Sequence, residues 1–91
     1  MAKQVLLAAK LDTAASAELR DTLIAAQDDD IVLEAGAVQM LGGACVELLM
    51  SAAALWHNAG RRLSIQNASP QFLEDLETFG LAPDTFLEDA A

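Results

Sequence analysis

The stretch VQMLGGACVELL, residues 38–49, decides how this chain is built. An apolar segment stops at Leu41, two glycines follow, and a second apolar run begins at once with a different period. That change marks a strand-to-helix turn. Beyond it, Cys45, Leu48, Leu49, Ala52, Trp56 and Ala59 fall on one face of a helix predicted over 44–59, while Glu47, Ser51 and Asn58 point elsewhere. Gly60 suits a left-handed stop. Turns of this kind hold helix caps, nucleophiles or phosphate cradles, yet Gly42 and Gly43 carry no side chain. The expectation for the pair is a tight turn needing positive φ and close backbone approach. Free amides at a helix start leave small-anion binding as the other reading.

Upstream, QVLLAAKL (4–11) reads as a strand with Lys10 as a polar break. Over 12–27 the period shifts, with Ala15, Leu19, Leu23 and Ala26 forming a helical stripe. Thr13 or Ser16 is the expected cap, and Glu18 is placed in the first turn. DDD (28–30) is a solvated loop, and IVLEA (31–35) is a short buried strand. Downstream, RRLSIQN (61–67) alternates as a half-buried strand does. Ser69 and Pro70 start a third helix, a capping hydroxyl followed by proline at the first helical position. Phe72, Leu73, Leu76 and Phe79 form its core stripe, and Gly80 ends it. Residues 81–91 are too polar for another core helix, with Leu81 and Phe86 expected to pack back. Strand, helix, strand, helix, strand, helix is the order of an α/β sheet with crossover helices. One domain over 1–91 is expected, with its core over about 4–81 and an acidic tail at 82–91.

Ninety-one residues bury only roughly 60–65 % of their unfolded surface, which leaves little room for an internal catalytic pocket. The net charge is −9, and only Lys3, Lys10, Arg20, Arg61 and Arg62 are basic, so nucleic acid and anionic membrane surfaces are repelled. No apolar run approaches the roughly 18 residues of a membrane span. The apolar run over 5–9 is too short for a secretion signal, and one cysteine fits a reducing compartment. A cytoplasmic protein without direct membrane insertion is expected.

Catalytic groups are scarce. No lysine follows Gly42 and Gly43 at phosphate-loop spacing. His57 has no second histidine to share a metal and reads as a surface residue near a helix C-terminus. Cys45 lies on the apolar face and reads as core, not as a nucleophile. Asp28, Asp29 and Asp30 lack calcium-loop spacing, and Glu74, Asp75 and Glu77 read as a wet helix face. Trp56 is read as core, with a partner-facing anchor as the other reading. Neither a metal nor another cofactor is expected, and no enzyme activity.

LDTAASAELRDTL (11–23), DIVLEAGAVQML (30–41) and RRLSIQNASPQFLEDLETFGL (61–81) together resemble the successive signatures of a STAS domain, the module of sulphate transporters and anti-sigma factor antagonists. The carriers of the likeness are Leu11 and Asp12 before the first helix, and Ser69, Pro70, Gly80 and Leu81 around the last. The resemblance implies a small mixed or mostly parallel sheet with helices mainly on one side. In that family the strand-to-helix turn reads Asp-Ser-Ser-Gly, and a partner kinase phosphorylates its first serine. The matching positions here are Gly42, Gly43, Ala44 and Cys45, so the phosphoacceptor falls on Gly43 and is missing.

The segment VQMLGGACVELLMSAAALW (38–56) is further similar to small stand-alone STAS proteins of bacterial chemotaxis gene clusters. The turn is also similar to that of the soluble STAS subunit of phospholipid ABC transporters, which carries glycines there but usually retains a threonine that is absent here. The resemblance thus implies a non-phosphorylatable adaptor that docks onto a protein: a chemotaxis component, an anti-sigma kinase or a transporter ATPase. Its recognition turn would be Leu41, Gly42, Gly43, Ala44 and Cys45, with Glu47, Met50, Ser51 and Ala54 as contacts on the accessible side of the helix.

Overall fold

A computed structural model describes residues 2–81. The first predicted strand is in fact two, β1 (Lys3–Leu6) and β2 (Lys10–Leu11), separated by residues 7–9, and Lys10, expected as the polar break, is itself paired in β2. The division follows from pairing. β1 lies beside β3 (Ile31–Glu34), whereas β2 leaves that sheet to pair with β4 (Met40–Leu41). β5 (Leu63–Gln66) joins the other side of β3, giving the order β1-β3-β5 with every pair parallel. The two-stranded β2-β4 ladder is also parallel. The α/β expectation holds, and among the described residues the sheets are wholly parallel.

In the three-stranded sheet Val5, Leu33 and Ile65 share one register position, and Ile31 lies two residues back on the same face. Ile31 and Leu33 are fully buried, while Gln4, Leu6 and Gln66 on the alternate face are exposed. The core therefore lies against one side of the sheet, as period-2 alternation demands. Over it sit α1 (Thr13–Ala25), α2 (Gly43–Asn58) and α3 (Pro70–Thr78). α1 packs on α2, α2 on β5, and α3 on β4.

The helix ends follow from local chemistry. α1 is capped by Asp12, whose carboxylate accepts from the Ala15 N–H at 2.9 Å, and not by Thr13 or Ser16. Thr13 is already helical and Ser16 donates to the Thr13 carbonyl, so neither hydroxyl faces the free amides. Glu18 falls beyond the first turn. Ser69 caps α3 through the Phe72 N–H at 3.1 Å, with Pro70 at the first position, and its hydroxyl donates to the Val38 carbonyl at 2.6 Å. α2 and α3 are each followed by a glycine at positive φ, Gly60 (+72°) and Gly80 (+78°).

Core membership departs from the expected stripes at the helix ends. Phe79 caps the C-terminus of α3 and is 46 % exposed, so it is not a core residue. Ala59 is exposed just past α2, whereas Val46 is buried. Leu81 packs against the core; Phe86 and the acidic tail lie outside the described residues. Trp56 is core, and its indole N–H donates to the Asp29 carbonyl at 2.7 Å.

Candidate functional site

The corner between β4 and α2 is built by three neighbours. From below, the Gly42 N–H donates to the Leu11 carbonyl at 2.8 Å, continuing the β2-β4 ladder by one residue. Gly42 is the N-cap, extended at φ −92° and ψ 168°, with no side chain to cap the amides above it. The expected positive φ is absent; close approach is what a side chain would violate. A Cβ at Gly42 would lie 3.2 Å from the Leu11 carbonyl oxygen. At Gly43 it would meet only the edge of the Phe79 ring, at 3.6 Å, an ordinary van der Waals distance.

α3 supplies the other two contacts. Asp75 accepts from the Leu41 N–H at 2.9 Å with one carboxylate oxygen and from the Gln71 side-chain amide at 2.9 Å with the other. One helical turn on, the Phe79 ring stands over Gly43. Asp75 is half-buried and orients the corner, so it is not part of a wet face. A carboxylate inside the apolar arc of Phe72, Leu76 and Phe79 was the signal available in the sequence for such a role.

The expected contact residues do not form one patch. Leu41 (3 % exposed) and Cys45 (0 %) are buried, so their side chains support the corner from beneath and present no surface to a partner. Burial pushes the Cys45 thiol pKa up, and the Asp12 carboxylate adds to the rise. Its Sγ lies 3.5 Å from the Asp12 carbonyl oxygen, to which it donates. Gly43 is exposed, and Gly42 and Ala44 are half-buried. Ala44, Glu47 and Ser51 look toward α1, whereas Met50 and Ala54 line a shallow depression on the other flank of α2 with His57, Arg61 and Leu63. Exposed Met40 and Phe79 flank the glycines and were missing from the expected set.

The remaining chemistry-bearing residues stay apart. His57 is exposed in the last turn of α2. The aspartate loop is anchored: Arg61 donates to the Asp28 carbonyl, Trp56 to that of Asp29, and the Arg62 N–H to the Asp30 carboxylate at 2.9 Å. Among the described residues no group of three or more His, Cys, Asp or Glu side chains is arranged to hold a metal ion.

The family model described as "Mlab, STAS domain" matches residues 2–88, nearly the whole chain. The protein belongs to the STAS family. As STAS domains generally mediate protein–protein interactions, a regulatory or anti-sigma antagonist-like role follows in general terms. No curated protein matches the chain. No helix among the described residues is long and apolar enough to cross a membrane.

Proposed function

We propose that this STAS domain is a non-catalytic, cytoplasmic adaptor that docks onto a signalling protein through the β4–α2 corner and cannot be switched there by phosphorylation. One observation carries the reading. The corner presents glycine backbone between the exposed side chains of Met40 and Phe79, and no hydroxyl stands at residue 42 or 43. Phosphorylation would add about −1.5 to −2 charges at such a surface. Without an acceptor the surface stays uncharged and permanently competent to dock. Similarity of residues 38–56 to STAS proteins of chemotaxis gene clusters favours a chemosensory partner.

The second reading is the soluble STAS subunit of a phospholipid ABC transporter, favoured by glycines at the same turn. A small anion or nucleotide held on the Gly42 and Gly43 amides is disfavoured by two neighbouring carboxylates, Asp12 and Asp75. A pull-down from native lysate, repeated with Met40→Ala/Phe79→Ala, is the test. Recovery of chemotaxis proteins, lost in the double variant, is expected. An anti-sigma kinase in their place would make this a partner-switching antagonist, and a transporter ATPase would assign it to lipid transport. Saturable micromolar phosphate or nucleotide binding, seen as amide shifts near Gly43, would replace the adaptor reading.

A further inference from the structure

The described residues hold four side chains open to oxygen-transfer oxidants: the thioethers of Met40 and Met50, the Cys45 thiol and the Trp56 indole. Access decides among them. Cys45 and Trp56 are sealed in the core at 0 % and 2 % exposure, whereas Met40 and Met50 are 40 % and 44 % exposed. Only one of the two exposed thioethers lies at the corner. The Met40 side chain folds back so that its terminal methyl stands 3.6 Å from the point a Cβ would occupy at Gly42. Its sulfur is one bond from that methyl, at the edge of the glycine turn. Met50 sits on the other flank of α2, in the shallow depression with His57, Arg61 and Leu63.

Phosphoryl transfer needs a hydroxyl, and residues 42 and 43 have none. The competence to dock argued above is therefore permanent against kinases, but not against oxidants. We propose that Met40 is a reversible oxidation site, with hydrogen peroxide as oxidant, through which the corner changes polarity and loses its hold on a partner; the effect on the partner rests on the adaptor reading. The sulfur lone pair attacks one peroxide oxygen, and an S–O bond forms as the O–O bond breaks. The departing oxygen takes the proton of the transferred one and leaves as water. Sulfur is oxidised by two electrons and the peroxide is reduced by the same two. The sulfoxide is uncharged, but it sets a strongly dipolar acceptor where apolar surface stood. Covering it with an apolar partner surface costs desolvation that the thioether does not.

The test treats the labelled full chain with hydrogen peroxide and follows amide shifts, with mass mapping after cleavage at Glu47, which separates Met40 from Met50. Both methionines should gain oxygen before Cys45 or Trp56. The Gly42 and Gly43 amides should move as Met40 is oxidised, in Met50→Leu as in the parent, and methionine sulfoxide reductases for both epimers should return them. Corner amides that stay still, shifts spread through the whole spectrum, or a Met40 slower than the buried Cys45 would each overturn the site. Docking is read in the lysate pull-down as the ratio of capture before and after peroxide within each variant. Parent and Met50→Leu should lose about tenfold, and Met40→Leu should show a ratio near unity. Equal capture by oxidised and unoxidised parent would overturn the regulation and leave the docking reading standing. No capture by the unoxidised parent would overturn both.

Discussion

Asp75 shows how one side chain ties the corner to the rest of the molecule. Its bond to the Leu41 N–H joins residues 34 apart in sequence, across a half-buried site. Asp75→Ala strands that donor and is expected to cost about 1–3 kcal/mol, with Asp75→Asn costing less because an acceptor remains. Urea unfolding of the two variants measures the difference. The paired glycines are expected to behave unequally. Gly42→Ala crowds the Leu11 carbonyl and places alanine at an N-cap, for about 1 kcal/mol, whereas Gly43→Ala enters a helix at ordinary contact distance and should be neutral or slightly stabilising. Their thermal midpoints, measured side by side, check this. Cys45 gives a pH dependence of definite sign. Burial raises its thiol pKa in the native state, so the unfolded chain ionises first, at about pH 8.5. The stability linked to this thiol is fully present below that pH and declines as pH climbs toward the native value. A thermal scan from neutral to alkaline pH should fall less steeply in Cys45→Ala than in the parent.

Ser69 illustrates an element start whose role exceeds its motif. The hydroxyl both caps α3 and donates to the Val38 carbonyl in the loop before β4. Ser69→Ala should cost about 1 kcal/mol for the cap alone, and more for the lost loop contact, read as a lowered urea midpoint. The Ser-Pro start and the glycine stops were legible in the sequence because cap and left-handed positions depend on local chemistry. The division of residues 4–11 into β1 and β2 was not, because it depends on which strand each half meets. The same limit explains Asp75, whose partner is 34 residues away, and Phe79, whose apolar character matched the core stripe although it stands over Gly43 at the surface. At the corner, the resemblance to the STAS family implied a hydroxyl at residue 43 where this chain has glycine, while the reading of Cys45 as core agrees with its burial and the buried Leu41 can serve the expected recognition turn only from beneath. A turn next to a buried strand end draws its own flanking side chains inward.

For the molecule as a whole, α2 is the element that links the surfaces described above. It starts at the corner and ends at the anchored aspartate loop. The sequence contains a single tryptophan, Trp56, thirteen residues along α2 from Gly43, which is about 20 Å at the rise of an α-helix. A protein seated on the glycines therefore leaves this chromophore untouched, so a partner's arrival that changes its emission must have rotated or slid the helix bodily. Intrinsic fluorescence thus becomes a strain gauge, silent for a rigid encounter and responsive only when the far end of the rod is displaced against the Asp29 carbonyl.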